Sequence, residues 1–231
     1  MEINVTDLYI IYGSESKLLK KLYEKKNVFF FRIYNNRQPT PKENAVDVDS
    51  FPKFEKKFKK FMQTNTPKKI IFIGAAFLVQ NELFVKEKKN HIALMLDTNI
   101  KTYLEYTHFL LPFMIKIKSG NFIFLSSFRT QATTRGVSVY AASKSFCETF
   151  FQIIGKEYGS IGVFSNSIRL GAFDGRMLNV LDSQKKMELK RTIGNRRFGT
   201  TEDLLKAIEF IIDSKYSNGG ILDLTGGMSY N

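Results

Sequence analysis

Short apolar runs alternate with amphipathic stretches along almost the whole chain. LYIIYG, NVFFFRIY, KKIIFIGAA, NFIFLSS, VFSNSIRLG and GGILDLTGG have strand length, and most are near-continuous apolar runs, the pattern of strands buried on both sides. Between them, KLLKKLYEK and FPKFEKKFKKFM read as helices, the second with Phe51, Phe54, Phe58 and Phe61 on one face. NHIALMLDTNIKTYLEYTHFLLPFMIKIK predicts one long helical region ending near Lys116. VYAASKSFCETFFQIIGKEYG and TEDLLKAIEFIID, the latter opened by a threonine cap, complete the set. Strands alternating with helices predict an α/β fold, a doubly wound Rossmann-type sheet of about seven parallel strands. No repeat, linker or composition break divides residues 1–231, so a single domain is expected, with RQPTPKEN (37–44) as a surface loop.

In such a sheet a ligand lies beyond the carboxyl ends of the strands. Small residues gather at those ends here: Gly13, Ser14, Gly74, Ala75, Ala76, Ser126, Ser127 and Gly171. Each alone fits a tight turn; together they favour a crevice that lets a flat ligand approach backbone.

Composition narrows the classes. The 43% hydrophobic content and 22 phenylalanines can fill a large core without tryptophan. The single cysteine, Cys147, excludes an internal disulfide and reads as core filler in a reducing compartment. The opening MEINVTDLYIIYG turns to glycine and charge too soon for a signal peptide, and no apolar run approaches the roughly 20 residues of a membrane span. A cytoplasmic protein with no membrane contact is expected. The net charge of +13 is mostly lysine on polar helix faces, without an arginine stripe or a nucleic-acid motif, so no nucleic-acid partner is expected. His91 and His108 have no partner pattern, and no metal site is expected.

YAASK places Tyr140 and Lys144 one helical turn apart with only small residues between. With SS at 126–127, LDTNI around Asn99, IGAA at 73–76, SIRLGAF at 167–173 and the closing RRFGTTEDLLKAIEFI and GGILDLTGG, the chain resembles the short-chain dehydrogenase/reductase family over essentially its whole length. Its layout is nearest to the 3-oxoacyl reductase branch. Ser127 precedes Tyr140 by thirteen residues, the family's usual separation. The resemblance implies four catalytic residues. Tyr140 exchanges the proton, and Lys144 lowers its pKa and holds the nicotinamide ribose. Ser127 bonds the carbonyl oxygen, and Asn99 holds a water that links Lys144 to solvent.

The resemblance also marks departures. The family's first turn carries three glycines under the pyrophosphate; IIYGSESKLLKKL keeps only Gly13 and is about one helical turn shorter. Ser14 and Ser16 are expected to cap the following helix and face the phosphates. IGAA replaces the usual Asn-Asn-Ala-Gly, so Gly74 and Ala75 line the cofactor site without those amides, and Leu170 replaces the proline before Gly171. The end of the second strand offers Arg32, Asn35, Asn36 and Arg37 but no acid, which favours the 2′-phosphate of NADP over NAD. Asp47 resembles the family's acid beside the adenine, and equally a turn-capping aspartate.

Residues 172–198 fall where the family has its substrate lid. They combine an apolar patch (Met177, Leu178, Val180, Leu181) with basic Arg176, Lys185, Lys186, Arg191, Arg196 and Arg197. A carbonyl or alcohol substrate bearing phosphate, an acyl carrier or a nucleotide-linked sugar would suit them, as would a plain solvated face. Phe146, Phe150, Phe151, Ile153 and Ile154 give the 140–158 helix more apolar surface than a sheet covers, which predicts a homodimer or homotetramer. The expected activity is hydride transfer between NADP and a carbonyl or alcohol. The alternatives are a non-catalytic binding or assembly subunit with a weakened cofactor site, and an epimerase or lyase acting on a nucleotide-linked sugar.

Overall fold

A computed structural model of the chain describes residues 7–34, 42, 44–75, 82–132, 134–175, 178 and 181–228. Strand β1 (Asp7–Tyr12) shows why its apolar run is continuous. Leu8, Ile10 and Tyr12 enter one core, and Tyr9 and Ile11 enter another on the opposite face. Side chains alternate across a strand, so a sheet covered on both faces needs apolar residues at every position. The same holds for β2 (Val28–Ile33), β4 (Lys69–Ala75) and β5 (Gly120–Ser127). With β3 (Ala45–Val48), β6 (Val163–Leu170) and β7 (Ile221–Leu224) they form one parallel sheet in the order β3-β2-β1-β4-β5-β6-β7.

One face of the sheet is covered by α1 (Phe51–Thr64), α3 (Thr102–Ile117) and α4 (Ser138–Tyr158). Phe54 and Phe58 of α1 pack edge-on or tilted against Phe31, and Tyr103 of α3 stands perpendicular to Phe124 at 5.0 Å between ring centres. Each such fully buried side chain contributes about 1.5–3 kcal/mol. A helix at Thr201–Asp213, with residues of the Lys17–Glu24 turn, covers the other face. Its start is a complete capping box between Thr200 and Asp203, as the threonine cap predicts.

One expectation about helices is corrected. Residues Lys17–Glu24 form a 3-10 helix. Its three-residue turn stacks Leu19 and Leu22 on the buried side. The long region before Ile117 is helical throughout, as expected: α2 (Lys89–Leu96) runs into α3 through a π turn at Asp97–Lys101, which holds the fully buried Asn99. No described helix is long and apolar enough to cross a membrane.

Candidate active site

Strand β1 pairs with β2 on one side and β4 on the other, so the connections diverge at the β1/β4 boundary. A crevice opens beyond the strand ends at such a switch point. Gly13 sits there with φ +74°, and a Cβ on it would lie 3.2 Å from the Ala75 carbonyl oxygen. The two strand ends approach closely enough to need small residues.

The chemical residues come from β5, the π turn and α4. Strand β5 ends at Ser127, and α4 starts at Ser138, so Tyr140 lies in the first turn of α4 and Lys144 in the next. Both are buried, at 8% and 2% exposure. The Lys144 ammonium donates to the Leu125 carbonyl. It also lies over the rings of Phe124 (4.6 Å from the centre) and Tyr140 (5.7 Å). Burial pushes Lys144 down to about 7, against the smaller opposing pulls of Cys147 and Glu148.

Burial raises the Tyr140 pKa, and the groups that oppose the rise are the Ser127 hydroxyl and the Arg129 guanidinium. The ammonium faces the ring rather than acting on the hydroxyl.

Asn99 donates from Nδ2 to the Ser143 hydroxyl at 3.2 Å, and Ser143 donates to the Tyr140 carbonyl at 2.7 Å. The π turn is therefore tied to the turn of α4 that carries Tyr140. The Asn99 carbonyl accepts from the Cys147 thiol at 3.0 Å. Cys147 is fully buried in the apolar core, as expected, and burial pushes its thiol up to about 12.

Behind these groups stands a carboxylate that sequence reasoning missed. Glu148, 4% exposed, accepts from Ser126 Oγ at 2.6 Å and Thr130 Oγ1 at 3.1 Å. It also takes a two-pronged bond from Arg169, at 2.9 and 2.8 Å. Ser126 and Thr130 bracket Ser127 and Arg129, so Glu148 anchors the turn that carries both. The signal was the spacing: Tyr140, Lys144 and Glu148 repeat every four residues on one face of α4.

At the cofactor end, the Gly13 and Ser14 amides both donate to the Ile33 carbonyl, each at 3.0 Å. Neither Ser14 nor Ser16 caps the following helix; the Ser16 amide instead bonds the Gly13 carbonyl. Ser14 Oγ is buried with no hydrogen-bond partner among the described residues. Gly74 lies under Tyr103, where a Cβ would come within 2.2 Å of the ring, so its small size is a packing requirement. Gly171 donates to the Leu224 carbonyl at 3.1 Å, and a Cβ there would meet the Thr225 backbone at 2.8 Å.

Arg32 is corrected as a free phosphate ligand. It is 4% exposed and forms a two-pronged pair with Asp47 at 2.7 and 2.8 Å, which also occupies Asp47. The two are register partners on β2 and β3. Asn35, Asn36, Arg37, Ala76, Arg176, Met177 and Val180 lie outside the described residues. In the expected lid, Leu178 is buried, whereas the helix Ser183–Arg191 buries nothing, so Lys185, Lys186 and Arg191 stand on a solvated element. The close approach of the strand ends at Gly13 and Ala75 and the orphaned Ser14 hydroxyl fit a flat, polar ligand lying across the strand ends.

The family model for short chain dehydrogenases matches residues 37–186, more than half of the chain. The chain belongs to the short-chain dehydrogenase family. Among curated relatives, it is 27% identical over 161 residues to 3-oxoacyl-(acyl-carrier-protein) reductase FabG of Chlamydia muridarum, across 69% of this chain and 65% of that one. The match thus spans about two thirds of that relative's length. To the FabG of Pseudomonas aeruginosa it is 24% identical across 72% of this chain and 68% of the relative. A tyrosine-to-phenylalanine variant of ElxO with NADPH bound has the same fold, with TM-score 0.84 and 16% identity over 97% of this chain and 99% of that one. So does Thermoplasma acidophilum aldohexose dehydrogenase in ligand-free form, with TM-score 0.85 and 14% identity over 99% and 96%.

Proposed function

We propose that the protein is an NADP(H)-dependent carbonyl reductase. The observation that carries this reading is the convergence of Ser127, Tyr140, Lys144 and Asn99 where β5, the π turn and α4 meet beside the switch-point crevice. The bound cofactor would supply or accept the hydride. Ser127 donates its hydroxyl to the substrate oxygen as negative charge builds there. Tyr140 then transfers its proton to that oxygen. Burial raises the phenol's pKa, so Tyr140 holds its proton at neutral pH and has it to give to the substrate oxygen. Asn99, through Ser143, holds the tyrosine's helix turn, and Lys144, the titratable group beside the ring, would pass the replacement proton through a water held by Asn99.

NADP(H) is favoured because ElxO, the structural neighbour, holds it. The Arg32–Asp47 pair removes the simplest sequence argument for that choice, so the cofactor's 2′-phosphate would be met by other groups. A homodimer or larger homo-oligomer follows from α4, where Phe146 (45% exposed) and Ile153 (50%) point outward while Phe151 and Ile154 face the core. A cytoplasmic location and a small carbonyl or alcohol substrate complete the reading.

One observation favours the second reading, a subunit with a weakened cofactor site. The Gly13 and Ser14 amides are already taken by Ile33 and are not free for a pyrophosphate. Fluorescence titration with NADPH and NADH separates the two. Micromolar NADPH binding, tighter than that of NADH, supports the reductase. No binding of either up to millimolar concentration sinks it.

A further inference from the structure

The reductase reading leaves Arg129, the arginine next to its reacting groups, unused. Arg129 lies two residues beyond Ser127, in the short 3-10 turn Phe128–Thr130 that follows β5, and its amide donates to Ser127 Oγ at 3.3 Å. Its guanidinium stands over the Phe128 ring, 5.6 Å from the centre. The turn itself is fixed by Thr130, which donates to the Ser127 carbonyl at 3.0 Å and is held by Glu148. Arg129 is therefore a positioned side chain rather than a solvated one.

Its partners are what is missing. Arg32, Arg169 and Arg197 each meet a carboxylate. Among the described residues Arg129 meets none, and its NH1 nitrogen is shut off from solvent with no acceptor. A guanidinium cannot shed its charge, and a buried N–H without an acceptor is unfavourable. Such a group beside a reacting centre is satisfied when a ligand brings the anion.

We infer that Arg129 binds a carboxylate on the substrate, so that the protein reduces carbonyl compounds carrying a carboxylate a few bonds from the reacting carbon. This rests on the reading of Ser127 and Tyr140 as the pair that holds the carbonyl oxygen. With those two hydroxyls taken by that oxygen, the guanidinium edge is what remains for a second polar group. A carboxylate suits one such edge. A phosphate dianion brings three oxygens and more charge to desolvate, with fewer donors to meet them. The Arg129 guanidinium interacts electrostatically with the Tyr140 hydroxyl, and its backbone amide bonds Ser127 Oγ at 3.3 Å, so the cation belongs to the same site as the two hydroxyls that hold the carbonyl oxygen.

Two measurements test this together. Calorimetric titration of malonate into the native protein, Arg129→Gln and Arg129→Lys, with and without NADP⁺, reads the carboxylate site without turnover. Malonate is expected to bind the native protein, to lose about 10- to 100-fold in Arg129→Gln, and to recover partly in Arg129→Lys. Malonamide, the neutral probe, should show no such dependence. Equal malonate affinity in native and Gln proteins overturns the inference, as does no binding to the native protein. Tighter binding of inorganic phosphate than of malonate overturns the carboxylate assignment.

NADPH-dependent turnover of acetoacetate and pyruvate against their methyl esters then separates the two claims. The acids should be preferred by native protein and lose that preference in Arg129→Gln. Esters reduced as well as acids would overturn the Arg129 inference while leaving the reductase intact. Arg129-dependent malonate binding without turnover of any carbonyl would keep the carboxylate site and sink the reductase.

Discussion

Lys144 places its ammonium over the face of the Tyr140 ring, 5.7 Å from the ring centre, while its N–H is given to the Leu125 carbonyl. The cation is buried without a carboxylate bonded to it, and burial brings it down to about 7 from the 10.5 of a solvated lysine. Between these values the unfolded chain binds more protons than the folded one, so stability rises with pH across the window, by at most ~1.4 kcal/mol per pH unit. The penalty is fully present below pH 7 and gone near pH 10.5. Lys144→Met removes it. The variant's stability relative to native protein should therefore be highest at pH 7 and fall steadily towards pH 9.5 in urea denaturation series. A difference that does not change with pH would mean that Lys144 keeps its charge in the fold.

Tyr140→Phe keeps the ring under Lys144 and removes only the hydroxyl beside Ser127. Turnover should fall by about 10²–10⁴-fold, the usual worth of a positioned proton donor. NADPH affinity should stay within a few-fold of native, because the ring and Lys144 remain in place. Steady-state rates and a cofactor titration check both halves. Turnover surviving in this variant would remove Tyr140 from the chemistry.

Gly74 faces the fully buried Tyr103, whose ring is wedged against Phe124, Tyr12 and Phe151. An added Cβ would lie 2.2 Å from that ring, so Gly74→Ala is expected to destabilise by about 1–3 kcal/mol. In the Gly74→Ala/Tyr103→Leu double variant the clash disappears, and the pair should couple with opposite sign to simple addition. A denaturation double-mutant cycle measures this. Additive effects would mean that the ring moves aside freely.

The strands and helices were legible because periodicity records burial directly. Phe51, Phe54 and Phe58 form a continuous aromatic contact with α3, as their spacing implies. The order of Ser127, Tyr140 and Lys144 was equally readable, since a strand end followed by a helix start fixes which side chains meet. What periodicity could not show was pairing across the sheet. Arg32 looked like a phosphate ligand until β3 placed Asp47 opposite it. Gly74 looked like a concession to a cofactor, yet it makes room for Tyr103, 29 positions later in the chain. The 3-10 helix at Lys17–Glu24 was hidden because Leu19 and Leu22 fit either helical period.

Glu148 joins three elements, bonding Ser126 of β5, Thr130 of the following turn and Arg169 of β6. Glu148→Gln leaves the partly buried Arg169 guanidinium facing a neutral amide oxygen, with Asp223, 3.6 Å away and half exposed, as its remaining carboxylate partner among the described residues. Losing the charge on one side of this partly buried pair is expected to cost about 1–3 kcal/mol. Replacing both partners with apolar residues, Glu148→Leu/Arg169→Met, should recover part of that loss. Turnover should not recover with it, because Ser126 and Thr130 still lose the carboxylate that fixes the turn carrying Ser127 and Arg129. A displacement of about 1 Å there is enough for roughly a 10²-fold loss in rate. Stability by denaturation and kcat by steady-state assay separate the two roles. A double variant with native turnover would show that Glu148 serves the fold alone.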